Sequence, residues 1–169
     1  MELDGISNQY IDQLMQEISY TFRGTFSADN IPEFEGENFS LIINLSNVRE
    51  KGSHFIAVSI SEKQILYFDS FGSLQTNSNI EKYLKRYKKR ILYTKYQIQH
   101  LISSHCGFFC ISSILCMESK ISIQNFFKMF YKKKLYLNDF ICVDIITYFI
   151  THMYLRESNI RKMLTFLRE

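Results

Sequence analysis

Residues Gln99 to Met117 read QHLISSHCGFFCISSILCM. From Cys106 onward this run is apolar almost all round, the composition of a helix buried in the middle of a domain rather than one lying on its surface. A thiol in the first turn of such a helix sits where unpaired backbone N–H groups and the helix dipole favour negative charge. Gly107 follows it, and the missing Cβ is expected to let a substrate backbone approach the sulfur. Gln99, seven residues upstream of Cys106, offers a side-chain amide to the same place. The stretch predicts a fold built round one central helix, with a site at its N-terminus.

Upstream, Ser40 to Leu45, Ser53 to Ile60 and Gln64 to Phe68 are rich in Ile, Val, Phe and Tyr and predict three short strands. The SEK between the last two reads as a hairpin turn, so His54, opening one strand, and Asp69, ending the next, emerge at the same sheet edge. Asn77 to Leu92 carries Ile80, Leu84, Tyr87 and Ile91 on one helical stripe and Lys82, Lys85, Arg86 and Lys89 on the other. A fourth strand is expected around Tyr93 to Gln99. Tyr10, Ile11, Leu14, Ile18 and Phe22 predict a helix over Ser7 to Thr21. The RGTFSADNIPEFEGENF that follows reads as an ordered loop because of Gly24, Pro32 and Gly36. Helical patterns resume at Ser122 to Phe130, Asp139 to Met153 and Ser158 to Leu167. The expected class is α+β, a small mixed sheet packed between helices.

With 169 residues, 46% hydrophobic content and a single proline, the chain is expected to form one domain over 1–169, with a real core and no linker. The first ten residues, MELDGISNQY, are acidic and polar where a signal peptide would be basic and then apolar, and no run approaches the roughly 18 apolar residues of a bilayer span. An intracellular, soluble, unsecreted protein with no membrane partner is expected. Cys106, Cys110, Cys116 and Cys142 lack framework spacing and are expected to be reduced. Net charge is only +3, but six of the 20 basic residues fall in KYLKRYKKR (Lys82 to Arg90), and Lys132, Lys133 and Lys134 form a second cluster. Such clusters invite an acidic partner.

A thiol with an ordinary pKa of ~8.5 is mostly protonated at neutral pH and needs a partner to attack a carbonyl. His54, fixed at a strand start, is the best base. Asp69, in YFDSFG, is placed to orient the second ring nitrogen, and the Gln99 amide is placed to meet an oxyanion beside the Cys106 N–H. Cys110, Cys116 and Cys142 read as buried hydrophobes. His105 adjoins the thiol, yet consecutive residues entering a helix point roughly 100° apart, and His100 faces away from Gln99 in a strand. A zinc set from His100, His105, Cys106 and Cys110 lacks any C-x-x-C pair, so no metal is expected.

The order His, acid, Gln, Cys-Gly reverses that of papain-like enzymes and resembles the clan joining the adenovirus maturation protease family, adenain, to SUMO-specific proteases. YTFRGTFSADNIP is similar to adenain's early loop. LIINLSNVREKGSHFIAVSI resembles its strand, Gly-rich turn and His-strand, with His54-Phe55 where the family usually has His-Trp. YFDSFG corresponds to its acid-x-Phe-Gly motif, Q-x6-CGFFC to its Gln and Cys-Gly block, and TYFITHMYLRESNIRKM to its helical end. The resemblance implies an adenain-like cysteine protease fold and a viral endopeptidase. Cys106 would be its nucleophile, His54 the base, Asp69 the orienting acid and Gln99 the oxyanion donor.

Its substrates would be capsid and core precursor polypeptides, cut beside small residues during virion maturation. The location implied is the virion and the infected cell, with the nucleus implied by the adenoviral relatives, and the enzyme would act as a monomer. The family's peptide cofactor forms a disulfide with a cysteine between acid and nucleophile. Ser70 to His105 has no cysteine, so only a noncovalent activating peptide carries over. DNA is the family's other cofactor, and Lys82, Lys85, Arg86, Lys89 and Lys132 to Lys134 are the candidate phosphate contacts. The alternatives are a deubiquitinase or deSUMOylase of the same clan and a DNA-binding module that has lost catalysis.

Overall fold

The computed structural model describes residues 6–49, 53–73 and 77–166, with 153–166 as helical backbone. The Gly-rich turn expected at 50–52, and Leu167, lie outside the described residues. Helix α1 (Asn8–Ile18) leads into a five-stranded sheet of β1 (Phe22–Ser27), β2 (Phe39–Asn44), β3 (Phe55–Ile60), β4 (Gln64–Phe68) and β5 (Arg90–Tyr93), with α2 (Ser78–Lys85) between β4 and β5. Helices α3 (Cys106–Glu118), α4 (Ile123–Lys128) and α5 (Asn138–Phe166) follow, α5 preceded by one 3₁₀ turn at Leu135–Leu137. The strands lie in chain order. β2, β3 and β4 are antiparallel neighbours, and the edges β1 and β5 run parallel to β2 and β4.

Side-chain alternation along the strands divides the core in two. Leu41 and Ile43 of β2 share one cluster with Ile56, Val58, Ile65 and Tyr67 and with Ile80, Tyr83 and Leu84 of α2. Ile42 faces the other way, into a cluster with Phe55, Ala57, Phe68 and the residues of α1, α3, α4 and α5. The sheet is therefore packed between helices, α2 on one face and the rest on the other, and the protein is a mixed α+β fold. α3 is buried on nearly every side. Its two interior serines are satisfied within the helix, Ser112 Oγ donating to Phe109 O and Ser113 Oγ to Cys110 O, both at 2.9 Å.

The structure corrects several sequence expectations. Phe22 to Ser27 is a strand, not a loop. Gly24, with φ +144°, sits where the β1–β2 register shifts, and a Cβ there would stand 2.7 Å from the Phe26 ring. The glycine that reads as punctuation lies where the strand pairing becomes irregular. α2 stops at Lys85; Arg86 caps it, Lys88 takes a positive φ of 51°, and the next strand is Arg90–Tyr93 rather than Tyr93 to Gln99. Tyr87 and Ile91 still pack on the α2 side of the sheet, so the helical stripe persists in space after the helix has ended. The two C-terminal helices are one, since Tyr154 to Glu157 continue α5. In α1 the buried residues are Ile11 and Met15, while Tyr10 is exposed.

Candidate active site

The antiparallel pairing of β3 with β4 brings the residue before one and the residue after the other to the same end of the sheet. Those residues are His54 and Asp69, and His54 Nε2 lies 2.8 Å from Asp69 Oδ1. The Asp69 side chain is 2% exposed. Its Oδ1 also accepts from Phe71 N–H at 2.9 Å, and Thr94 Oγ1 takes the Asp69 N–H at 2.9 Å while donating to its carbonyl. The Phe71 ring stacks on the imidazole at a centroid distance of 4.7 Å. Gly72 closes this turn with its N–H on Asp69 O. Its φ is +64°, and a Cβ would fall 2.7 Å from the Tyr96 carbonyl carbon, so glycine alone lets the turn lie against the segment leading to Gln99.

α3 begins at Cys106, which lines the same cleft as His54 and is close enough to act on the charge of its ring. Asp69 occupies Nε2, which leaves Nδ1 as the nitrogen open to a second partner. Burial by itself would lower the imidazole pKa. The hydrogen bonds and negative charges of Asp69 and Cys106 outweigh it and raise the value to about 9. At neutral pH the ring is therefore charged. The other thiols differ: burial pushes Cys116 up to about 12 and raises Cys110 and Cys142 strongly. Only Cys106 combines partial exposure with a cationic neighbour, the conditions for a reactive thiolate.

Gln99 is fully buried yet lines the same cleft as His54 and Cys106. Ser70 Oγ donates to its Oε1 at 2.5 Å, which fixes the amide so that Nε2 points at the loop before α3 and donates to Ser103 O at 2.8 Å. The second Nε2 hydrogen has only a long contact to Ser103 Oγ, at 3.4 Å. His105, at the N-cap of α3, makes no side-chain cap bond. The first-turn N–H groups thus receive no acceptor from it. The cleft has a volume of about 700 Å³, with Asn44, Ser46, Phe55, Phe71 and Leu101 among its walls.

Gly107 is a correction. It is not among the cleft's lining residues, and a Cβ on it would stand 2.2 Å from Ile6 Cγ2 and 3.2 Å from Ile11 Cδ1. The close approach it permits is of the protein's own N-terminal segment, not of a substrate. His105 turns away from the thiol, with Nδ1 3.6 Å from Asp139 and its ring against Phe108. No metal-binding cluster occurs among the described residues. Of the basic residues, Lys85 pairs with Glu81, Arg86 with Glu33, and Lys89 with Glu37 and the Ser61 carbonyl. Lys82 and Lys132 to Lys134 are partly or fully exposed.

Sequence reasoning missed Ser70, Phe71, Thr94 and Ser103. Ser70 and Phe71 adjoin Asp69 in the same motif, which is a usable signal. Thr94 and Ser103 carry none, because a threonine beside a strand and a serine in a loop are common everywhere. Comparison with protein-family models and with curated proteins finds no match.

Proposed function

We propose that this protein is a cysteine endopeptidase. The observation that carries the reading is an imidazole bonded to a buried carboxylate in the same cleft as the thiol that opens a buried helix. The protonated ring attracts negative charge to the sulfur, and the α3 dipole acts in the same direction. The thiolate adds to the carbonyl carbon of the scissile bond, and the resulting oxyanion accepts from the Cys106 N–H and from the Gln99 Nε2 hydrogen that Ser103 O does not hold. Collapse breaks the C–N bond as His54 gives its Nδ1 proton to the departing amine. Water then attacks the thioester, His54 takes its proton, and collapse breaks the C–S bond, releasing the acid and restoring the thiolate beside the protonated ring. Asp69 keeps the ring in the orientation both transfers need.

The finer reading is an adenain-like fold and a viral maturation enzyme acting on capsid and core precursors. It rests on the resemblance of the His54, Asp69, Gln99 and Cys106 motifs. Purified protein should cut a fluorogenic peptide with glycine before the scissile bond, and Cys106→Ala should abolish cleavage while leaving the thermal transition in place. Retained cleavage would remove Cys106 from the chemistry. Virion precursor polypeptides should be processed at glycine sites; rapid capture by a ubiquitin or SUMO C-terminal probe in their place would make the enzyme an isopeptidase of the same clan.

A further inference from the structure

Asn44 ends β2 with the parity of Ile42, so its side chain faces the α3 side of the sheet, and the register pairs it with Phe55, the neighbour of His54. The residue is 7% exposed and lines the cleft. Its Oδ1 accepts from Ser46 N–H at 3.0 Å and from Ser53 N–H at 3.4 Å, closing the turn that leads to His54. These two bonds fix which end of the amide points where. Nδ2, with two hydrogens, has no partner among the described residues. Nδ2 is not among the buried unpaired side-chain atoms, so it opens to the cleft as a donor that a ligand there can take up in place of water.

We propose that Asn44 Nδ2 is a substrate-binding donor that takes a main-chain carbonyl oxygen of the peptide in the cleft. An uncharged acceptor suits it, because among the described lining residues His54 and Cys106 are the only ionisable side chains and none is a Lys or Arg. The inference rests on the peptidase reading and adds a residue that positions the substrate rather than one that attacks it.

Asn44→Asp separates the two ends of the side chain. The carboxylate still accepts from Ser46 and Ser53, whereas the donor becomes a second acceptor. With the peptide acetyl-Leu-Ala-Gly-Gly-aminocoumarin, which has no side-chain carbonyl, KM should rise roughly tenfold with kcat little changed, the loss of about one hydrogen bond. To remove any effect of the new charge, each carbonyl before the scissile bond is replaced in turn by the weaker acceptor thiocarbonyl. One position should weaken the wild type severalfold and leave Asn44→Asp unaffected. Asn44→Ser, whose hydroxyl can close the turn but is too short to reach the peptide, should match the aspartate variant and serves if that variant unfolds. Equal losses in wild type and variants at every position would overturn the donor role while leaving the peptidase intact. A wild type that does not cleave the parent peptide would instead overturn the peptidase reading itself.

Discussion

At the scale of the residue, His54 governs pH behaviour. Its pKa rises from 6.5 to about 9 on folding, so the folded state holds the extra proton between those values. The stabilisation is complete below pH 6.5 and is lost as pH rises through about 9. Thermal stability should fall over that window, and His54→Gln should flatten the fall; an unchanged profile would place the titration elsewhere. Activity should decline above about pH 9 as the ring loses the proton it gives to the leaving amine. Removing the carboxylate removes an influence that raises the ring, so Asp69→Asn should move this alkaline limb to lower pH and cut kcat by roughly 10²- to 10⁴-fold. Gln99→Ala should lower kcat by roughly 10²- to 10³-fold. His54, Asp69, Gln99 and Cys106 were legible because an imidazole, an acid, an amide and a thiol in that order have few other uses together. Asn44 and Thr94 were not, since an asparagine or a threonine beside a strand is common and only the fold brings either one to the site.

Elements position these groups through tight backbone contacts, which is where sequence reading was weakest. The turn after β4 holds Asp69 and lies against residues 95–97, so Gly72 joins two parts of the site. Gly72→Ala adds left-handed strain and a clash with backbone. It should destabilise by about 2 to 4 kcal/mol, lower Tm by roughly 5 to 15 °C and cost activity disproportionately; an unchanged Tm would contradict the packing described. Gly107→Ala should cost about 1 to 3 kcal/mol by overpacking against Ile6 and Ile11. Gly24 and Gly107 show the same limit: a glycine announces that a Cβ is not tolerated, but not what occupies the space. The ends of α2 and β5 were obscured for a related reason. Ile80, Leu84, Tyr87 and Ile91 all pack on one side of the sheet, and periodicity alone does not reveal that the backbone changes from helix to strand among them.

For the whole molecule, the α+β class and the strands β2, β3 and β4 followed directly from dense Ile, Val and Phe runs bounded by polar turns. The central helix followed from its uninterrupted apolar content. Among the described residues no helix is long and apolar enough to cross a membrane. Of the basic residues expected to meet DNA, Lys82 and Lys132 to Lys134 are exposed, whereas Lys85, Arg86 and Lys89 pair with the protein's own acceptors. If DNA is a cofactor, its binding should weaken linearly in log–log salt titration, and neutralising Lys132 to Lys134 should reduce the slope by about 2 to 3; an unaltered slope would assign the contacts elsewhere.

The whole account turns on the pairing of Cys106 with His54. Alkylation by iodoacetamide at pH 6.5, followed residue by residue by mass spectrometry, measures it most directly, because only a thiolate reacts and an unpaired thiol is almost wholly protonated there. Cys106 should be labelled roughly 10²-fold faster than an unpaired thiol, with Cys110, Cys116 and Cys142 unmodified in the folded protein, and His54→Ala should abolish the difference. Labelling of Cys106 at the rate of an ordinary thiol, or at a rate that His54→Ala leaves unchanged, would contradict it.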